Sequence, residues 1–283
     1  MKLAKPFSRL IILIYLVTTV LWILFVWETR YTGTLEGWKF DYLLKPFLMG
    51  MTILPITGGI LGIKNSMSWG GLKSAMGRAT LFISLGLLAW GGGMVIWNYY
   101  LFFTNIEVPY PSLADVIFIL SWPLWSYGLI ELSKAIGAQF GWHNMLNKKR
   151  IFFVSAIFII ASFYLLFGVA RQWSVSLADG GLKLFFDLFY PIGSIIISTL
   201  VALIYWLSRN LIGGVYKKPV MILLFGFMIN YIGDFTFSYT TTKGTYFNGH
   251  IADFIFTTAM FAISLGLSLL HSHPVDYPSN KQS

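Results

Sequence analysis

"RLIILIYLVTTVLWILFVWE", residues 9–28, decides the class of fold: between Arg9 and Glu28 the chain runs eighteen residues without a charge. A hydrocarbon core of about 30 Å is crossed by roughly 20 apolar residues in a helix. The stretch therefore reads as a membrane span. The rest of the chain has the same character, with 57% hydrophobic and only 11% charged residues, where a soluble domain carries about 25% charged. Further apolar runs fall near 44–63, 80–103, 113–133, 151–170, 182–207, 219–240 and 251–271. The expected fold is an all-α polytopic membrane bundle of about eight transmembrane helices, seven if the glycine-rich 44–63 run does not cross.

Lys2, Lys5 and Arg9 ahead of the first run would also suit a cleavable signal peptide. The run exceeds the usual apolar length of such a signal, however, and "FVWETRYTG" offers no small-x-small cleavage site. It reads as a retained first helix. No cysteine is present, which excludes disulfides and thiol chemistry.

A net charge of +9 would suggest nucleic acid in a soluble chain, but its distribution here marks topology, and no nucleic-acid partner is expected. With the N-terminus assigned to the cytoplasm, the inner loops and tails hold 14 Lys and Arg and the outer loops 5. That asymmetry over short loops places both termini in the cytoplasm. The acids run the other way: Glu28, Glu36, Asp41, Glu107, Asp115, Asp179, Asp187, Asp234 and Asp253 fall on or near the outer face, and Glu131 and Asp276 inside.

Two pairs of segments repeat. "FDYLLKPF" (40–47) matches "FDLFYPIG" (186–193) at an offset of 146, and "ADVIF" (114–118) matches "ADFIF" (252–256) at 138. "GMVIWNYY" (93–100) and "GDFTFSYT" (233–240) share a glycine, an aromatic four on and a tyrosine six on. These matches predict a single transmembrane domain over 1–271 in two four-helix halves, about 1–140 and 141–271, followed by a short polar cytoplasmic tail, 272–283. Halves with an even number of helices enter the membrane in the same direction, and parallel repeats favour sites at their interface.

An ionisable side chain inside the membrane costs at least about 2.5 kcal/mol unless paired or wetted, so each is a functional candidate. Aspartate also caps helix N-termini well, and that reading stands beside the functional one for Asp41 and Asp253. It is weaker for Asp187, since "GLKLFFD" is itself helical in pattern and puts the carboxylate a turn or more inside. In "NYIGDFTFSYTTT" (230–242), Asn230, Asp234, Phe237 and Thr241 share one helical face, either lining a site or hydrogen-bonding between helices. Trp90, Trp97, Tyr99, Tyr100, Tyr190, Tyr231 and Tyr239 gather near the same end, where aromatics also form the ordinary interfacial belt. The candidate ligand-binding set is Asp115, Asp187, Tyr190, Asn230, Asp234, Tyr239, Asp253, Trp97 and Tyr99. Carboxylates ringed by aromatics suit a small cationic or amphipathic ligand.

Other chemistries are poorly served. An outward zinc site would want about three protein ligands, yet His250 is the single outer histidine, and "HSH" (271–273) at the inner end has no third partner. No late-helix lysine could form a retinal Schiff base, and the G-x-S-x-G elbow, P-loop and dinucleotide fingerprints are all missing. "WGGGM" (90–94) and the small-xxx-small pairs Gly58/Gly62, Ala89/Gly93 and Ala262/Gly266 read as close packing. Lys45, four residues after Asp41, reads as a helical pair or a snorkelling end. His250 with Asp253 suits a pH-sensitive pair or, preferably, a cap. The expectation is no metal, no cofactor and no enzymatic activity.

"PYPSLADVIFILSWPLWSYGL" (109–129), "FDLFYPIGSII" (186–196) and "GDFTFSYTTTKGTYFNGHIADFIF" (233–256) resemble the multi-helix membrane region that precedes GGDEF and EAL domains, or histidine-kinase-type domains, in many prokaryotic signalling proteins. The resemblance covers about residues 80–271 and rests on Pro111, Ser112, Ala114, Asp115, Asp187, Tyr190, Pro191, Asp234, Tyr239, Gly244, Tyr246, Gly249 and Asp253. Met94 stands where that pattern would put an acid after the glycine of the third helix, and the cytoplasmic output domain is missing. The resemblance implies a sensory or ligand-binding module of a prokaryotic inner membrane, which would signal through a cytoplasmic or membrane partner reading loops 134–150 and 208–218. The alternatives are a small proton- or cation-coupled secondary transporter, to which Pro123 and Pro191 could supply broken helices, and a lipid-modifying membrane enzyme.

Overall fold

The structure is a computed structural model that describes residues 6–32, 40–104, 108–137, 145–174, 180–208 and 216–271. Nine α-helices are present among the described residues: α1 (Pro6–Thr32), α2 (Lys45–Ser68), α3 (Ala75–Tyr99), α4 (Leu113–Ile119), α5 (Ser121–Ala135), α6 (Met145–Phe163), α7 (Gly181–Ser208), α8 (Lys217–Thr242) and α9 (Ile251–Leu269). Short π-helical stretches precede α2 (Phe40–Leu44) and extend α3 (Tyr100–Thr104) and α6 (Tyr164–Ala170). Eight spans are long and apolar enough to cross a membrane, α4 and α5 together making one. The 44–63 run is among them, lengthened to Tyr42–Ser68. The chain is a multi-pass membrane protein.

The kink between α4 and α5 has a local cause. Pro123 has no N–H to give the carbonyl of Ile119, and the chain turns at Leu120, whose own N–H donates to Ile117 O at 3.2 Å. Pro55 and Pro191, by contrast, lie within the continuous helices α2 and α7.

Helix neighbours follow a regular scheme. α2 packs on α3 and α3 on α4 and α5; α7 packs on α8 and α8 on α9; the two sets meet where α5 touches α7 and where α9 touches α2. α1 lies against α2 and α9, while α6 lies against α7 and its π extension against α8. Phe47, Leu54, Ile83, Leu87, Trp125, Leu129 and Phe227 fill the centre. Leu13, Leu16, Val20 and Ile23 on α1, and Phe152, Ile157 and Ile160 on α6, are exposed, as apolar residues facing lipid should be.

Glycines set the tightest contacts, as the packing of membrane helices favours. On α3, a Cβ at Gly86 would lie 2.3 Å from Trp125 Cδ1 and one at Gly93 2.5 Å from Phe118 Cδ1. On α8, a Cβ at Gly226 would lie 2.7 Å from Ile263 Cγ1 and one at Gly233 2.8 Å from Phe256 Cδ1. A Cβ at Gly128 would lie 2.6 Å from Ile83 Cγ1 and one at Gly266 2.8 Å from Leu223 Cβ. The three-glycine run thus serves packing, with Gly91 against Ile56 and Gly93 against Phe118. Gly58 and Gly62 similarly admit Ser264 and Ser84.

Opposite the aspartate-rich end, one buried acid is paired. Glu131 on α5 receives Arg78 Nη2 at 2.7 Å from α3 and Lys134 Nζ at 2.5 Å, so this carboxylate joins two helices at the membrane boundary.

Candidate functional site

Helix alternation brings Asp115, Asp187, Tyr239, Asp253, Trp97 and Tyr99 to one end of the bundle, with Tyr190, Asp234 and Asn230 deeper along α7 and α8. Their surroundings then divide them.

Asp115 and Asp253 occupy the same local position. Asp115 is the third residue of α4; its Oδ2 accepts from Ser112 N at 2.7 Å and Ser112 Oγ at 2.9 Å. Asp253 is the third residue of α9; its Oδ2 accepts from Gly249 N at 2.6 Å. Gly249 reaches this geometry at φ 90°, and a Cβ there would strike Phe25 Cε1 at 2.4 Å, so only glycine serves. Each carboxylate sits at the positive end of its helix dipole, where unsatisfied amides favour negative charge, and each takes one further hydrogen bond from a tyrosine. Tyr246 donates to Asp253 Oδ1 at 3.0 Å, and Tyr190 donates to Asp115 Oδ1 at 2.8 Å. Burial, followed by the Asp253 charge, pushes the Tyr246 hydroxyl well above its ordinary range, which keeps it a donor.

The His250 ring is not seen to bond to the Asp253 carboxylate; the two residues meet through the backbone, Asp253 N donating to His250 O at 2.9 Å. His250 Nδ1 accepts from Ala252 N at 3.2 Å as the N-cap of α9, and burial lowers its pKa.

Asp187 lies in the second turn of α7, as its flanking sequence predicts. Its Oδ1 accepts from Tyr110 Oη at 2.8 Å and pairs with Arg171 Nη1 at 2.8 Å. Tyr110 precedes α4, whereas Arg171 follows the π extension of α6, so one carboxylate ties three segments together. Burial, then the Asp187 contact, raises the Tyr110 pKa, and Arg171 opposes that rise.

Asp234 is placed differently. It stands eight residues from the end of α8, about 12 Å along the helix. Its Oδ2 accepts from Ser194 Oγ at 2.6 Å and from Asn230 Nδ2 at 3.1 Å. No cation lies in ion-pair reach of it among the described residues. The one hydroxyl proton of Ser194 is shared with Tyr190 O, at 3.0 Å from the same Oγ, which links Asp234 to the Asp115–Tyr190 contact. On the same helices, Ser121 Oγ and Trp122 Nε1 of α5, Thr199 Oγ1 of α7 and Asn230 Oδ1 of α8 are buried with no hydrogen-bond partner among the described residues, and Asn230 belongs to the node itself. Asn230 itself is 3% exposed. Buried polar groups are nearly always satisfied, so a concentration of orphans marks a place with work other than packing. The Trp122 ring meets Tyr190 edge-on with centroids 5.1 Å apart, giving the node an aromatic wall.

Trp97, Tyr99 and Tyr239 lie apart from the node. Trp97 Nε1 donates to Asn248 Oδ1 at 3.2 Å, holding the loop before α9. Tyr99 is 58% exposed beside Tyr100 and Phe103, and Tyr239, also exposed, stacks on Phe235; both fit the interfacial belt. Tyr110, Ser112, Arg171, Ser194, Trp122 and Tyr246 belong to these networks without being in the candidate set. Ser112 and Tyr246 stand within the motif residues of the resemblance, while Ser194 and Trp122 carry no local signal.

Residues 138–144 of loop 134–150 and 209–215 of loop 208–218 lie outside the described residues, as does "HSH" beyond His271, and the Asp41 side chain lies outside them as well. Among the described residues no three His, Cys, Asp or Glu side chains cluster as a metal site. No family model, curated protein or solved structure matches the chain.

Proposed function

We propose that this chain is the sensory, ligand-binding membrane module of a prokaryotic plasma membrane, with both termini cytoplasmic and its site at the polar node of α5, α7 and α8. The observation that carries the reading is Asp234: a carboxylate within a span, held by two neutral donors and standing beside the unsatisfied Oδ1 of Asn230. Asp115, Asp187 and Asp253 already have the partners that make them structural. A small cationic or amphipathic ligand would pair with Asp234, draw on Asn230 Oδ1 and lie against Trp122 and Tyr190. Its arrival would compete for the Ser194 and Asn230 donors and alter the tie between α7 and α8. α7 runs from this node to the inner loop 208–218, where a cytoplasmic partner would read the change.

The two-half architecture supports a site of this kind. At offsets of 138 and 140, Gly86–Trp125, Gly93–Phe118 and Ile83–Gly128 correspond to Gly226–Ile263, Gly233–Phe256 and Leu223–Gly266. Under the same exchange the α5–α7 contact becomes the α9–α2 contact. A parallel repeat relates the halves about an axis along the membrane normal, and the node lies where α5 of one half meets α7 of the other.

A cation-coupled transporter is the second reading, favoured by Asn230 Oδ1, a buried acceptor beside an acid that lacks a cation. Thermal stability of the purified protein against amines, amino acids and alkali cations, followed by flux in liposomes, tests both. A ligand that binds the native state raises its stability by mass action. A stabilising ligand whose effect is lost in Asp234→Asn, without flux, supports the sensor; ion-coupled flux supports the transporter. No shift with any compound, and wild-type behaviour of Asp234→Asn, would sink both.

A further inference from the structure

At the opposite end of the bundle from Asp234, a cavity of about 230 Å³ opens between α1, α2 and the end of α9, lined by Phe7, Leu61, Lys64, Asn65, Ser268 and His271. Lys64 brings a cationic side chain to its lining, and no carboxylate is among these residues. Lys64 Nζ lies 5.1 Å from the centroid of the Phe7 ring, and no ion-pair partner is seen for it among the described residues. Asn65 and Trp69 already cover the last carbonyls of α9: Asn65 Nδ2 donates to Leu267 O at 2.8 Å and Ser268 O at 3.2 Å, and Trp69 Nε1 to Leu270 O at 3.2 Å. Each of these three carbonyls thus already accepts a side-chain hydrogen bond.

We propose that this cavity binds an anionic phosphate group, seated as the headgroup of a phospholipid. The apolar surroundings favour the lipid as its source. From Phe7 an exposed strip runs along α1 through Leu10, Leu13 and Val17, with Ile53 and Ile60 exposed on neighbouring α2, offering acyl chains a path from the headgroup into the bilayer. Basic pockets between membrane helices recognise anionic headgroups in this way. The site is independent of the Asp234 node and depends on none of its residues.

Thermal stability of the full chain in zwitterionic micelles, titrated with phosphatidylglycerol, phosphatidylcholine or inorganic phosphate, tests the proposal. Phosphatidylglycerol should raise the melting temperature and phosphatidylcholine should not. Lys64→Met should weaken the apparent affinity about fivefold, the worth of one basic residue near an anionic surface, with Lys64→Arg restoring it and Lys73→Met, an exposed lysine outside the cavity, without effect. A response to inorganic phosphate that Lys64→Met removes would support the same site with a free phosphate as its ligand. Equal stabilisation by both lipids, an unchanged response in Lys64→Met, or an equal loss in Lys73→Met would overturn it.

Discussion

The starts of α4 and α9 have the same frame and different neighbourhoods. Both begin with Ala-Asp-x-Ile-Phe, both place the aspartate third in the helix, and both set the phenylalanine on a glycine of the preceding span. Asp253 then closes its hydrogen bonds locally, through Tyr246 seven residues before it. Asp115 instead reaches Tyr190, 75 residues away on α7, and from there the network continues to Ser194, Asp234 and Asn230. In the proposed repeat register, Tyr190, Ser194, Asn230 and Asp234 correspond to Leu44, Leu48, Trp90 and Met94, all four buried in the apolar core. In that register, the positions that are polar on α7 and α8 are matched by apolar ones at the start of α2 and on α3. The shared frame is what folding requires, so the difference points to what the module does.

Breaking the more connected region should cost most. Asp187→Asn strands the mostly buried Arg171 guanidinium and should destabilise by about 3 kcal/mol, as removing one partner of a buried pair does. Asp253→Asn, which weakens a helix cap, should cost about 1 kcal/mol. Unfolding in detergent by heat or denaturant measures both, and equal losses would erase the contrast. The shared frame is tested by Gly93→Ala and Gly233→Ala. Each drives a Cβ into a phenylalanine ring and should cost about 1–3 kcal/mol, with similar values for the two; a large effect at one and none at the other would count against the repeat.

Single hydrogen bonds, a cap and an exposed position refine the same comparison. Tyr190→Phe and Tyr246→Phe each remove one hydrogen bond to a buried carboxylate, worth about 1.5–3 kcal/mol, and Tyr190→Phe should in addition alter ligand response. His250 caps α9 in its neutral form, and its pKa is lowered by burial. Its unfolded counterpart therefore binds the proton first as pH falls below about 6.5. Its contribution is present above that pH and declines on acidification, so a melting-temperature profile should show a small fall there that His250→Asn removes. Tyr99→Leu, on an exposed belt position, should change stability by less than about 0.5 kcal/mol.

The spans were legible because membrane crossing demands long apolar runs, and each of the eight expected runs lies within a candidate span to within two residues of its ends. The second run's glycines did not prevent crossing, because Gly58, Gly59 and Gly62 admit side chains of α9 and α3. The capping role of Asp253 and the shared face of Asn230 and Asp234 were also legible, being local. What the sequence did not reveal is long-range: Tyr110 with Asp187, Tyr190 with Asp115, and Ser194 with Asp234 join residues 77, 75 and 40 apart. Periodicity within a helix carries no information about such partners. Tyr99 and Tyr239 show the converse, since an interfacial tyrosine and a site tyrosine look alike in one dimension.

The most direct test of the account compares wild type, Asp234→Asn and Asp253→Asn in one thermal-shift screen of the purified protein against small amines, amino acids and alkali cations. The account predicts a stabilising compound whose effect is lost in Asp234→Asn and kept in Asp253→Asn, though the latter melts lower throughout. A response unchanged in Asp234→Asn, or lost equally in both variants, would contradict it and reduce the polar node to part of the fold.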